Sequence, residues 1–113
     1  MENRKKILFV CSANLQRSPT AEELYKDDSR FEVRSAGTSR LAANTINAGI
    51  IGWADIVVVM EERHVRIIRE CFPTESLRTR FVTLDIPDVF EYMDSVLQRE
   101  IRSRFESKIA GLL

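Results

Sequence analysis

Hydrophobic positions along this chain follow two spacings, and the spacing predicts the elements. Ile7-Leu8-Phe9-Val10 and Ile56-Val57-Val58-Val59-Met60 are unbroken apolar runs with many β-branched members. Such runs suit strands buried on both faces. They predict strands over residues 6–10 and 55–60, the second of them central. Phe31-Glu32-Val33-Arg34-Ser35 alternates apolar and polar, which predicts an edge strand at 31–35. A further strand is expected at 80–84.

Between these runs the apolar residues recur at helical spacing. Residues 18–26 predict a helix with Ser18 as N-cap and Pro19 at the first helical position. Residues 61–72 predict another, with Val65, Ile68 and Phe72 on one stripe and Pro73 as its stop. A last helix is expected over 94–110, on the stripe Val96, Leu97, Ile101, Phe105, Ile109. Residues 40–52 are less regular: Gly49 and Gly52 weaken the helical pattern, and a short or irregular helix is expected. Alternation of strands and helices implies a parallel sheet with helices on both faces.

Composition narrows the class. The chain has 113 residues, 44% hydrophobic and 30% charged, with a formal net charge of +0. That is enough for one core and not for two. A balanced charge argues against nucleic acid or a membrane surface as partner. No apolar run reaches membrane-spanning length, and residues 1–6 lack a secretory apolar region, so a cytoplasmic protein is expected. The two cysteines, Cys11 and Cys71, read as thiols. One histidine and two cysteines without ligand spacing give no zinc site, and no metal or cofactor is expected.

The candidate chemistry lies where the first strand meets the first helix. Cys11-Ser12-Ala13-Asn14-Leu15-Gln16-Arg17-Ser18-Pro19 is a short loop of small residues, opened by a cysteine and closed by an arginine at a helix start. Backbone N–H groups from Ser12 through Ser18 would converge on one anion, beside a helix N-terminus. A thiolate at that edge is favoured by the dipole and by nearby positive charge. Arg17 offers a planar fork for two phosphate oxygens. A tetrahedral oxyanion over a thiolate is what phosphoryl transfer through cysteine needs.

The leaving group then needs a proton. Asp85-Ile86-Pro87-Asp88 follows a strand end, on the rim where parallel sheets bind ligands. Asp88 is the candidate acid and later base. Asp85 competes for the role, or caps the loop, or pairs with Arg17.

On these residues the chain resembles the low-molecular-weight protein tyrosine phosphatases, as a short, atypical member over residues 1–113. The cradle loop, Ser35-Ala36-Gly37-Thr38, the segment from Asp55 through Met60-Glu61, and Ile86-Pro87-Asp88-Val89-Phe90 carry the resemblance. It implies a cysteine-dependent hydrolase of phosphotyrosine or similar aryl phosphates, working through a phosphocysteine and releasing inorganic phosphate. It implies Cys11 as nucleophile, Arg17 as phosphate clamp, Ser18 as hydroxyl donor to the thiolate, and Asp88 rather than Asp85 as general acid. Asn14 and Ser35 would brace the loop, and Phe90 would wall the substrate ring. The expected fold is one three-layer α/β domain, a four-stranded parallel sheet in the order 2-1-3-4. Departures stand out too: Val89 replaces a usual proline, Ala13 a usual glycine, and Gln16 a common second cysteine.

Other residues read more plainly. His64 reads as solvated or capping, Trp53 as packing, Cys71 as half-buried, and Arg34, Arg40 and Arg63 as surface charges. Two other functions share these motifs. An arsenate reductase would relay oxidation through further cysteines, and only Cys71 is at hand. A regulatory module would bind phosphate without turnover.

Overall fold

The first strand is the hub of the molecule. In the computed structural model, which describes residues 4–113, β1 (Lys5–Cys11) lies between β2 (Phe31–Gly37) and β3 (Ile56–Val59), and β4 (Arg80–Thr83) completes the sheet beside β3. All pairings are parallel, giving the order β2-β1-β3-β4. Cys11 stands opposite Gly37, and Val10 opposite Val59, so three strands end on one rim. The expected parallel 2-1-3-4 sheet is thus the observed one. The reading of the N-terminus extends over Met1, Glu2 and Asn3, which lie outside the described residues.

Alternation along β1 feeds both layers. Ile7, Phe9 and Cys11 face α1 (Arg17–Tyr25) and α4 (Ser95–Ile109), in a cluster that includes Tyr25, Phe31, Leu97, Ile101 and Phe105. Phe105 meets Tyr25 edge-on at 4.7 Å between centroids and Phe9 at 5.4 Å. Leu8 and Val10 face the other side, with Ile51 of α2 (Ala48–Trp53) and Val65 and Ile68 of α3 (Glu62–Cys71). No helix among the described residues is long and apolar enough to cross a membrane.

Two local expectations are corrected. Helix α1 starts at Arg17 with Gln16 before it, so Ser18 is not its N-cap. The Ser18 side chain is drawn back towards Cys11 and Asn14 instead. In residues 40–52 only Ala48–Trp53 is helical, capped by the Asn47 side chain, which accepts the Ile50 N–H at 2.9 Å. The preceding stretch runs along the end of β2, where Gly37 bridges to Thr45. Its backbone bonds go to the cradle: Ser39 N donates to Ser12 O and Ala43 N to Ala13 O, each at 3.0 Å. A loop that satisfies a neighbour's carbonyls has no need of helix hydrogen bonds of its own.

Candidate active site

The loop after β1 curls around the sulfur of its own first residue. The Asn14 backbone N–H donates to Cys11 Sγ at 3.2 Å, and Ser18 Oγ lies 3.0 Å from the same sulfur. Asn14 makes the curl possible. Its φ of 56° is left-handed, a region Asn tolerates better than most residues. Its amide is fully employed: Nδ2 donates to Ser18 Oγ at 2.9 Å and to Ser35 Oγ at 3.0 Å, and Oδ1 accepts from Asn44 Nδ2 at 3.1 Å. Ser35 in turn donates to Glu22 Oε1 at 2.6 Å. This brace spans α1, β2 and the 40s loop, so the curl is held from three sides.

Ser18 has one hydroxyl hydrogen and two acceptors within reach, Cys11 Sγ and the Ala36 carbonyl at 3.3 Å. Negative charge on the sulfur draws that hydrogen to Cys11, because charge-assisted bonds are the stronger ones.

Arg17 is 1% exposed. Its Nη1 donates to Glu61 Oε2 and to the Ile86 carbonyl, the latter at 2.8 Å. Its Nε, buried too, has no hydrogen-bond partner. Asp88 Oδ1 is 3.7 Å from that nitrogen. A buried N–H left unmade costs about 1–3 kcal/mol, and this one lies beside the acid loop at the cradle's closing residue.

The structure separates the two candidate acids. Asp85 takes a left-handed φ of 58°, its backbone carbonyl accepts from Arg104, and its side chain lies 3.5 Å from Lys108. It turns the chain toward α4. Asp88 faces Arg17 from an exposed loop tied down on both sides. Ile86 N donates to Met60 O at 2.9 Å, and Met93 N donates to Thr20 Oγ1 at 2.9 Å. Those ties give the loop anchors of its own where Val89 replaces proline. Phe90 is half-buried and packs on the core, whereas Val89 and Tyr92 are exposed at 74% and 51%. Leu15, at the crest of the cradle, is exposed at 57%.

Glu61, read only as part of a segment that carries the resemblance, and His64, read as solvated or capping, prove central to the geometry. Glu61 pairs with both Arg17 and Arg63, and its hydrogen bonds, from Arg63 first and then from Arg17, hold its carboxyl down at about 2. His64 is fully buried rather than solvated, with Nε2 3.0 Å from Ser12 Oγ. Burial, with Arg17 and Arg63 adding, pushes its pKa down to about 4. Only the position of His64 three residues after Glu61 hinted at this, a capping spacing in which Glu or Gln is usual. Cys71 is exposed, not half-buried. Arg34 stacks over Trp53 at 4.4 Å. Among the described residues no group of three or more His, Cys, Asp or Glu side chains is arranged to hold a metal ion.

Known proteins with this architecture can now be set beside it. A family model described as low molecular weight phosphotyrosine protein phosphatase matches residues 6–53, which hold the cradle and its brace but not Asp88. No curated protein sequence matches significantly. Among solved structures, the YwlE arginine phosphatase from Geobacillus stearothermophilus is 25% identical with a TM-score of 0.70, covering 95% of this chain and 94% of its own. A low molecular weight protein tyrosine phosphatase from Streptococcus pyogenes shares the fold at a TM-score of 0.78 and 18% identity, over 96% and 93% of the two chains. The tyrosine phosphatase Wzb from Escherichia coli K30, in complex with phosphate, does so at 0.74 and 17%, over 97% and 99%.

Proposed function

We propose that this chain, a member of the low-molecular-weight phosphotyrosine protein phosphatase family, is a cytoplasmic hydrolase of phosphotyrosine or similar aryl phosphates that works through a phosphocysteine at Cys11. One observation carries the reading. A buried sulfur accepts a backbone N–H at 3.2 Å and lies 3.0 Å from a hydroxyl, in a loop closed by an arginine whose buried Nε has no hydrogen-bond partner.

In the first step the Cys11 thiolate attacks phosphorus. The S–P bond forms, the P–O bond to the aryl group breaks, and Asp88 gives its proton to the departing oxygen. The loop N–H groups and Arg17 hold the equatorial oxygens, where charge is spread in the transition state. In the second step Asp88, now a carboxylate, takes a proton from water as the water oxygen attacks phosphorus. The S–P bond breaks, inorganic phosphate leaves, and the returning thiolate is met by Ser18 O–H and Asn14 N–H.

The aryl preference rests on the rim. Leu15, Val89 and Tyr92 expose apolar surface on the cradle and acid loops, which suits a flat ring better than a charged guanidinium. In this reading Tyr92 or Val89, rather than the core-packed Phe90, supplies the wall. The thiol relay of an arsenate reductase finds less support. Cys71 lies seven residues beyond His64 on α3, about 10 Å along a helix rising 1.5 Å per residue.

Turnover of aryl phosphate, alkyl phosphate, phosphotyrosine peptide and phosphoarginine, with no added metal, tests the proposal. Aryl phosphates should be hydrolysed fastest, vanadate should inhibit, and Cys11→Ser should abolish turnover. Full activity in Cys11→Ser would overturn the mechanism. Preference for phosphoarginine would overturn the substrate class.

A further inference from the structure

The start of α3 stands against the cradle, and two residues there, the N-cap Glu61 and His64 of the first turn, reach opposite ends of it. Glu61 holds Arg17 Nη1 jointly with the Ile86 carbonyl. Buried His64 meets Ser12 Oγ at 3.0 Å through Nε2. Its other nitrogen, Nδ1, accepts the Glu61 backbone N–H at 3.1 Å, while the His64 backbone N–H donates to the Glu61 carbonyl at 3.0 Å. A ring nitrogen that accepts a hydrogen bond carries no hydrogen itself. The imidazole hydrogen therefore sits on Nε2 and points at Ser12. Ser12 Oγ is the acceptor in that contact, and among the described residues its own hydroxyl hydrogen has no other partner. Ser12 follows the nucleophile directly in the chain.

We propose that Glu61 and His64 are paired positioning residues for the phosphate cradle: Glu61 fixes Arg17 so that its Nε, which has no hydrogen-bond partner, meets the bound phosphate, and His64 fixes Ser12 so that its hydroxyl donates to a phosphoryl oxygen. This rests on the phosphate-binding reading of the site. The arrangement has a structural logic. Arg17 and Ser12 lie on the loop five residues apart, and both are referred to one rigid helix start. A loop pinned to a single frame at both ends keeps its donors aimed at one point, which is what preorganised binding requires. Arg63, bonded to Glu61 at 3.1 Å, keeps Glu61 ionised without using Arg17.

Glu61 makes the test sharp because its two effects on phosphate have opposite signs. As a bare negative charge it repels phosphate, so neutralising it would tighten binding. As a clamp it aims Arg17, so neutralising it would weaken binding. The measurement is affinity for inorganic phosphate and vanadate by calorimetry or competition. Glu61→Gln should weaken both about tenfold, the scale of one charge-assisted hydrogen bond. Glu62→Gln removes the same charge from the same turn, but Glu62 touches Thr83 and not Arg17. It should change binding by less than about twofold, as a screened surface charge does. Equal or tighter phosphate binding in Glu61→Gln overturns the clamp.

For the other arm, Ser12→Ala and His64→Phe should each weaken phosphate binding about fivefold, and the double variant no further, because both delete one donor. His64→Gln, which keeps a donor at the Nε2 position, should recover most of the loss. Additive effects in the double variant, or no recovery with Gln, overturn this arm. Melting curves keep the readings apart from unfolding, and Ser12→Ala at a half-exposed site remains informative if His64→Phe does not fold. Binding is read, not turnover. Failure to hydrolyse aryl phosphates with this pattern intact sinks the reaction alone, and normal hydrolysis with the pattern absent sinks the clamp alone.

Discussion

Cys11 Sγ and Ser18 Oγ stand 3.0 Å apart, seven residues apart in sequence and both buried. The same hydroxyl oxygen accepts from Asn14 Nδ2 at 2.9 Å, so its single hydrogen is shared between the Ala36 carbonyl and the sulfur, and negative charge on the sulfur draws it there. In the proposed mechanism Ser18→Ala removes the donor that meets the departing thiolate. It should lower kcat about 10–100-fold, from a charge-assisted bond worth about 1.5–3 kcal/mol. Phosphocysteine should accumulate in a quenched reaction. Unchanged kcat with no trapped intermediate would refute that role.

Asn14 is both a conformational and a bonding choice. Asn14→Ala keeps a left-handed φ without its natural tolerance and deletes bonds to Ser18, Ser35 and Asn44. The cost should be about 3 kcal/mol, adding backbone strain to lost buried bonds, and Tm should drop on the order of 10 °C. Asn14→Gly should recover the backbone share only. If Gly and Ala are equally destabilising, the φ of Asn14 contributes nothing.

The two aspartates should behave differently. Asp88→Asn should cut kcat on aryl phosphates about 10²–10⁴-fold, as loss of a general acid does, with little change in phosphate affinity. Asp85→Asn, facing Lys108 and solvent, should be near neutral. A larger loss in Asp85→Asn would reverse the assignment.

Stability should decline in acid in two steps. His64 is held at about 4 against an ordinary 6.5, first by burial. Glu61 is held at about 2 against 4.5, first by its bond from Arg63. Both folded values are depressed, so the unfolded chain takes up each proton first and stability falls with falling pH. The His64 contribution is complete above pH 6.5 and disappears towards 4; that of Glu61 is complete above 4.5 and disappears towards 2. Between pH 6.5 and 5 ordinary carboxylates stay ionised, so the slope there belongs to His64. Urea midpoints for the parent and His64→Gln check it, and the variant should be flat in that window.

Gly37 marks where β2 touches the cradle. A Cβ there would stand 2.5 Å from the Ser12 carbonyl oxygen and 2.6 Å from Ala42 Cβ. Gly37→Ala must displace one of them, at about 1–3 kcal/mol for an overpacked site, and activity should fall with stability. Full activity would mean that the 40s loop yields without moving Ser12.

Much of this was legible in the chain itself. The apolar runs of β1 and β3 specify buried strands because no other element accommodates unbroken β-branched residues so well. The alternation at 31–35 foretold the edge strand, and Asp88's place after a strand end foretold its rim. What the chain could not reveal was the direction in which polar side chains turn. Ser18 has the right identity for a cap, yet its hydroxyl goes to Cys11 and Asn14, because buried groups across the loop outcompete a local backbone N–H. His64 reads as solvated or capping, and it does cap, but its bond to Ser12, 52 residues away, appears only once the chain is folded.

By itself the sequence determined the α/β alternation, the strand–loop–helix with Cys11 and Arg17 at its ends, and the short list of possible acids. Those depend on spacing and residue type, which act within a few residues. Only the tertiary structure decided that Asp88 rather than Asp85 faces Arg17, and that Glu61 and His64 grip both ends of the cradle. Hydrogen bonds are short and directional, so their partners are fixed by which elements the packed sheet brings within about 3 Å, and no spacing along the chain encodes that.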